Sequence, residues 1–190
     1  MLLYIHGFNS SAQSLKAKLV VDYVKRNYPD INLQVPELAN TPTAAMAQLE
    51  SLVVEAINDN QRVDFIGSSL GGYFSNYLCH QYGGKAVLIN PAVKPYELLV
   101  DYLGEQLNPY TNVSYQVLPK HIEELKAFDI PLVQQHDNIL LLQQSGDEVL
   151  DYRQAIWHYQ NCQMYLQSGG DHSFIDFEQL LPEIFEFLSL

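Results

Sequence analysis

The sequence predicts an α/β fold in which a mostly parallel sheet carries helices on both faces. Short apolar runs alternate with longer amphipathic stretches along most of the chain. Strands separated by helices in this way are joined by right-handed crossovers and form parallel sheets. The length of 190 residues suits a single domain, residues 1–190, that can bury a full core without disulfides or metals.

Each element follows from its own local pattern. The predicted strands are residues 2–5, 31–35, 63–66, 86–89, 139–143 and 163–166. The predicted helices are residues 12–28, 42–57, 70–82, 152–159 and 175–188. In the first helix, we expect the buried face to hold Leu15, Leu19, Val20, Tyr23 and Val24.

Residues 93–136 interrupt the alternation. They contain four prolines and two short stretches with helical spacing, near residues 96–103 and 120–128. This segment is too short to hold a core of its own, so it is predicted to be a small, cap-like insertion over one end of the sheet.

Composition excludes several classes of function. The chain has 10 basic and 22 acidic residues and a formal charge of −12, which argues against binding to nucleic acid or to an anionic membrane surface. Its two cysteines are too few for a disulfide framework or a site with several thiolates. The apolar N-terminal run lacks the basic segment of a signal peptide, so we expect a soluble, cytoplasmic protein.

The sequence around Ser69 indicates a catalytic serine. Gly67-Ser68-Ser69-Leu70-Gly71 matches G-x-S-x-G and lies between a predicted strand and a predicted helix, which is the context this motif requires. A serine at such a sharp turn needs neighbours without side chains, so that helix and strand can approach. Ser69 is therefore the candidate nucleophile, although a glycine-rich turn without chemistry would show the same pattern.

A serine nucleophile needs a base, and His172 is the best placed of the six histidines. It lies in Gly169-Gly170-Asp171-His172, between the last predicted strand and the last helix. Nucleophile, acid and histidine follow one another in that order along hydrolases with this motif. A histidine that only stabilises the loop is the alternative.

The acid should follow the preceding strand, where Asp147 and Glu148 are adjacent. Asp147 is nearer to the strand end and its shorter side chain suits a position beside an imidazole, so we favour Asp147 and expect Glu148 to be a solvated neighbour. We expect Asp171 to point away from the histidine or to hold its loop.

Acyl transfer also requires two backbone donors for an oxyanion. The amide that follows the nucleophile belongs to Leu70. The second is expected from the loop after the first strand, where His6-Gly7-Phe8-Asn9 makes the amide of Phe8 the candidate. His6 itself is expected to serve loop architecture.

Together these segments resemble the α/β-hydrolase superfamily and, more closely, its small bacterial YqiA-like esterases. The resemblance rests on YIHGFNSS at residues 4–11, FIGSSLGGY at 65–73, NPA at 90–92, GDEVLDY at 146–152 and GDHSF at 170–174. It implies a Ser69–Asp147–His172 triad and a reduced α/β-hydrolase fold that lacks the leading antiparallel hairpin.

The function implied is a carboxylic-ester hydrolase that acts on small-molecule acyl esters through an acyl-enzyme, with no metal or organic cofactor. An acyl-CoA thioesterase and a non-catalytic binding protein on the same scaffold are the alternatives. Two interpretations of the insertion stay open: its tyrosines and leucines line an acyl pocket, or they only pack the insertion onto the sheet. The residues concerned are Tyr96, Leu98, Leu99, Tyr102, Leu103, Tyr110 and Tyr115. The oligomeric state is not predicted.

Overall fold

The structure is a computed structural model that describes residues 1–190. Its strands are β1 (Leu2–Ile5), β2 (Leu33–Gln34), β3 (Asp64–Ser68), β4 (Ala86–Ile89), β5 (Gly104–Leu107), β6 (Ser114–Val117), β7 (Ile139–Gln144) and β8 (Gln163–Gln167). Its α-helices are α1 (Leu15–Asn27), α2 (Pro42–Asn58), α3 (Leu70–Tyr82), α4 (Pro95–Leu98), α5 (Pro119–Lys126), α6 (Tyr152–His158) and α7 (Leu181–Leu188). Short 3₁₀ helices cover Leu99–Tyr102, His136–Asn138 and Phe177–Leu180.

Six strands form one sheet in the order β2-β1-β3-β4-β7-β8. Every neighbouring pair in this sheet is parallel, with Leu3 opposite Phe65 and Ala86 opposite Ile139. The sheet begins directly with parallel strands, as expected for a fold without a leading antiparallel hairpin. Because the strands run in one direction, the loops after β1, β3, β4, β7 and β8 lie along the same edge, where ligands bind in open α/β sheets.

Helices cover both faces of this sheet. Successive side chains of a strand point to opposite faces, so Leu3 and Ile5 of β1 join one apolar core while Leu2 and Tyr4 join the other. The first core also contains buried residues of α2, α3, α5 and α6, and the second contains buried residues of α1 and α7. The predicted layer arrangement is therefore present.

The insertion contains a feature that the sequence did not predict. Between its two short helices, β5 and β6 form an antiparallel hairpin, with Gly104 opposite Val117 and Leu107 opposite Ser114. The hairpin escapes sequence analysis because its strands, GEQL and SYQV, are short and largely polar, and only Val117 is buried.

Two predicted elements and the predicted burial of one residue need correction. Strand 31–35 has only the two paired residues Leu33 and Gln34, because it lies at the sheet edge and bonds to β1 alone. The last helix does not begin at residue 175: a 3₁₀ turn precedes α7. In α1, Leu15 is 70% exposed, since about 100° of rotation per residue places it opposite the buried stripe of Ala17, Val20 and Val24.

None of the helices combines the length and the apolar character that crossing a bilayer would require.

An ion pair between a buried carboxylate and a half-exposed guanidinium joins the ends of several elements. The carboxylate of Asp64, at the start of β3, is almost fully buried and accepts hydrogen bonds from Arg62 at 2.8 and 2.6 Å and from the Lys85 amide at 2.8 Å. Arg62 also donates to the carbonyl of Leu188, the last residue of α7. The contact therefore fastens the C-terminal helix to the sheet.

We expect Asp64→Ala to lower the free energy of unfolding by about 2 kcal/mol, because it removes the acceptor for the Lys85 amide and for two of the Arg62 hydrogen bonds. Chemical denaturation measures the change. Asp22→Ala, on the exposed side of α1, is the control and should alter stability by no more than about 0.5 kcal/mol. Equal, small effects of both substitutions would contradict a structural role for Asp64.

Candidate active site

Ser69 occupies the turn between β3 and α3 with φ 57° and ψ −119°. Residues other than glycine rarely adopt a positive φ, and such strain often accompanies function. Hydrogen bonds hold the turn: the Ser69 amide donates to the Ile89 carbonyl at 3.0 Å, and the Ser69 carbonyl accepts from the Ala92 amide at 3.1 Å. The backbone therefore fixes the direction of the hydroxyl.

Two glycines make this turn possible because they let main chain meet main chain. A Cβ atom on Gly67 would collide with the Gly71 carbonyl, and a Cβ atom on Gly71 would collide with the Ile5 carbonyl of β1. The hydroxyl of Ser75 donates to the Gly71 carbonyl at 2.8 Å and closes the first turn of α3. The predicted reason for glycine at both positions is therefore present in the structure.

Three side chains that the sequence predicts to meet lie within hydrogen-bonding distance. His172 Nε2 is 3.1 Å from Ser69 Oγ. His172 Nδ1 is 3.0 and 2.8 Å from the two carboxylate oxygens of Asp147. With the proton on Nδ1 donated to Asp147, Nε2 is free to accept the serine proton.

The carboxylate of Asp147 has no exposed surface. Burial by itself raises its pKa, but the hydrogen bond from His172, those from the Leu150 and Val149 amides and the electrostatic interaction with the His172 ring outweigh this effect, so the pKa lies below its usual value. Both amides donate to Oδ1 at 2.9 Å. Asp147 is thus held as an anion against His172.

Glu148 differs from the expectation. It is exposed, but it is more than a solvated neighbour, because its carboxylate accepts a hydrogen bond from the backbone amide of His172 at 3.0 Å. Sequence alone cannot distinguish a contact with the His172 ring from one with its backbone amide, since both carboxylates follow the same strand. Of the two roles expected for Asp171, the structure shows the second, in which it holds the loop. Its carboxylate accepts a hydrogen bond from the Ser173 hydroxyl at 2.5 Å.

Two buried amide side chains hold the loop that carries His172. Asn90 is fully buried and donates from Nδ2 to the Asp171 carbonyl at 2.9 Å. Gln144 is 3% exposed, and its Oε1 accepts from the amides of Asp171 at 3.2 Å and Ile175 at 2.9 Å. The Asn90 Oδ1 in turn accepts a hydrogen bond from the backbone amide of Gln144 at 2.9 Å. The ends of β4 and β7 and the His172 loop therefore form one hydrogen-bond network.

Sequence analysis missed Gln144 as a site residue. Its only signal is a pair of glutamines at the end of an otherwise apolar buried strand. Lys16 was missed as well: its ammonium donates to the Ser173 carbonyl at 2.7 Å, and burial lowers its pKa to about 8. No local pattern marks Lys16, because its partner is 157 positions away.

The candidate oxyanion donors lie beside Ser69. Leu70 begins α3, so its amide has no acceptor within the helix. The loop of Phe8 passes directly against the serine: a Cβ atom on Gly7 would lie 3.1 Å from Ser69 Cβ. Neither the Phe8 nor the Leu70 amide donates to another backbone carbonyl in this region.

His6 supports the Phe8 loop, as expected. It is buried, its Nδ1 donates to the Gly7 carbonyl at 2.9 Å, and its Nε2 accepts from the Leu38 amide at 3.1 Å. Burial lowers the pKa of His6 and favours this neutral form.

A cavity of about 240 Å³ opens above Ser69 and His172. Insertion residues Leu98, Leu99 and Tyr102 line it, as the pocket interpretation predicts. Two other insertion residues follow the packing interpretation: Tyr115 packs edge-on against Phe8, and the Tyr96 hydroxyl donates a hydrogen bond to Asp129. Leu103 and Tyr110 are exposed and fit neither interpretation.

The lowered pKa of Asp147 predicts a pH-dependent contribution to stability. This contribution is fully present above the unfolded carboxyl value near 3.8 and is lost as pH falls through the lower folded value. We expect Asp147→Asn to melt below the wild type at about pH 6, and this difference in Tm to narrow as pH falls below about 4. Thermal melts of both proteins measure it, with Asp22→Asn as control, and a difference that is constant across pH would contradict the charge assignment.

Comparison with known proteins identifies the family. The family profile described as "Uncharacterised protein family (UPF0227)" matches residues 1–189. The UPF0227 protein YcfP of Salmonella arizonae is 23% identical over 160 residues, which cover 83% of this chain and 86% of that protein.

Two solved structures share the fold. The alpha/beta hydrolase domain-containing protein 10 of mouse aligns with a TM-score of 0.65 at 14% identity, covering 98% of this chain and 90% of that one. A structure from the metagenome-derived lipolytic enzymes LipS and LipT aligns with a TM-score of 0.71 at 17% identity, covering 99% and 92%. The predicted α/β-hydrolase fold is therefore confirmed, and the chain belongs to the UPF0227 family.

Proposed function

We propose that this protein is a serine hydrolase that cleaves small carboxylic esters through an acyl-enzyme. The observation that carries the proposal is the line of contacts from the Asp147 carboxylate through the His172 ring to the Ser69 hydroxyl, with the serine at a strained turn. The fold shared with a lipolytic enzyme is consistent with it.

The proposed chemistry proceeds in two steps. In the first, Ser69 Oγ bonds to the substrate carbonyl carbon while its proton passes to His172 Nε2. The carbonyl oxygen becomes an anion that the amides of Phe8 and Leu70 stabilise. The intermediate then collapses as the bond to the leaving alcohol breaks and the alcohol takes the proton from His172.

In the second step, water attacks the acyl-serine, gives its proton to His172 and releases the carboxylic acid, which restores the Ser69 hydroxyl. Asp147 keeps the imidazole in the required tautomer and stabilises the imidazolium in both steps. None of these transfers requires a metal or an organic cofactor.

The cavity above Ser69 supports a small acyl substrate. It is mainly apolar and holds about as much volume as eight molecules of liquid water, which suits a short acyl chain. The same triad would also cleave a thioester, so comparing p-nitrophenyl butyrate with butyryl-CoA determines which leaving group is preferred.

Ser69→Ala should lower kcat for p-nitrophenyl butyrate by about 10⁶-fold, because no other group can form the acyl-enzyme. The matched control is Ser68→Ala, which removes a hydroxyl one residue earlier and should keep activity within a few-fold. A fluorophosphonate probe should label the wild type and not Ser69→Ala. Absence of both turnover and labelling in the wild type would favour a non-catalytic binding protein.

Asp147→Asn should lower kcat by about 10⁴-fold, because the amide favours the wrong imidazole tautomer. Glu148→Gln is the matched control: it keeps an oxygen acceptor for the His172 amide, and we expect a loss of less than about tenfold. Steady-state kinetics on both variants decide the assignment. A larger loss for Glu148→Gln would show that the acid is assigned to the wrong residue.

A further inference from the structure

We infer that the Phe8 side chain limits the acyl-chain length of the substrate by separating the active-site cavity from a second cavity under the insertion. This inference rests on the proposed ester hydrolysis. It concerns the ring of Phe8, whereas the oxyanion role assigned above concerns its backbone amide.

The second cavity lies directly behind Phe8. It has a volume of about 60 Å³, and its apolar wall is formed mainly by Leu38, Pro42, Ala45 and Phe74. Five residues line both cavities and form the partition between them: Phe8, Asn9, Leu70, Leu99 and Leu125. Phe8 contributes the largest side chain of this partition.

Three polar side chains that line the second cavity are already engaged in hydrogen bonds. A ring nitrogen of His6 accepts from the Leu38 amide at 3.1 Å, and a ring nitrogen of His121 accepts from the Leu118 amide at 3.1 Å. Asn108 uses its side-chain amide to donate to the Ser10 carbonyl at 2.9 Å. The cavity therefore suits the end of an alkyl chain better than a charged group.

The direction of the acyl chain follows from the proton transfers. In the tetrahedral intermediate, the leaving atom must face His172 Nε2 to receive its proton, and the oxyanion must face the Phe8 and Leu70 amides. The acyl chain takes the direction that remains, away from His172.

The lining of the two cavities agrees with this direction. Val149 and Leu150, which belong to the Asp147 loop, line the active-site cavity but not the second one. Leu99 and Leu125, on the Phe8 side, line both. An acyl chain that points away from His172 therefore meets the partition, and a longer chain would enter the second cavity if the Phe8 ring were absent.

Contacts from the insertion hold the Phe8 ring in place. The Phe8 ring packs edge-on against Tyr102, with centroids 5.4 Å apart, and against Tyr115, with centroids 6.3 Å apart. The Tyr115 hydroxyl donates to the Asn9 side chain at 2.6 Å, which secures the loop beside the ring. The wild type should therefore accept short acyl chains and discriminate against long ones.

The test is kcat/KM for p-nitrophenyl esters from acetate to dodecanoate. Phe8→Ala keeps the backbone amide and removes the ring. It should raise the ratio of kcat/KM for octanoate over acetate by about tenfold or more, since each buried methylene contributes about fourfold. Leu103→Ala is the matched control, because Leu103 belongs to the insertion, is 41% exposed and lines neither cavity. It should leave the chain-length optimum unchanged.

A double variant tests where the chain goes. Ala45 is 3% exposed and lines only the second cavity, so Ala45→Leu fills that space. Phe8→Ala/Ala45→Leu should return the octanoate-to-acetate ratio to the wild-type value. If Phe8→Ala does not fold, Phe8→Leu should raise the octanoate-to-acetate ratio of kcat/KM in the same direction by a smaller factor.

Two results would overturn the inference: a chain-length profile that neither Phe8 substitution alters, or a long-chain gain that the double variant retains. Failure of the proposed function looks different, because the wild type would then hydrolyse none of the esters.

Discussion

The close approach of helix α3 to strands β1 and β3 is the constraint on which the site depends. The backbones meet at Gly67 and Gly71 with no room for a Cβ atom, and Ser69 adopts a positive φ between them. Any side chain at either glycine would push the helix outward and displace both the Ser69 hydroxyl and the Leu70 amide. The position of the candidate nucleophile is thus set by main-chain packing.

The candidate base is positioned by a different kind of interaction. His172 lies in a loop, and hydrogen bonds from separate parts of the chain hold that loop: Asn90 after β4, Gln144 at the end of β7 and Lys16 in α1. Glycine conformation contributes at Gly169 and Gly170, where φ is 76° and 77°, and a Cβ atom on Gly170 would collide with the Gln144 side chain. A rigid turn and a hydrogen-bonded loop therefore face each other across the cavity.

Much of this arrangement could be predicted from sequence because its signals are local. Apolar runs predict β1, β3, β4 and β7, and a short motif predicts the turn at Ser69. Interactions between distant residues could not be predicted: nothing near Lys16 or Gln144 indicates a partner in the 169–175 loop. The hairpin of the insertion also escaped prediction, because its polar strands gain their order from contacts with the Phe8 loop. Leu15 shows a further limit, since counting apolar residues without their helical angle places the wrong side chain in the core.

The chemical nature of the groups around the histidine loop has a consequence for the conditions the protein tolerates. Asn90 and Gln144 are neutral amides that neither titrate nor attract counterions, and they are buried. Dissolved ions screen exposed charge pairs, such as Lys126 with Glu123 on α5, far more than contacts of this kind. Two of the supports of the His172 loop are therefore uncharged, whereas Lys16 and Glu148 hold the same loop with charged groups. As ionic strength rises, the contacts of Asn90 and Gln144 should keep their strength while the more exposed contact of Glu148 weakens.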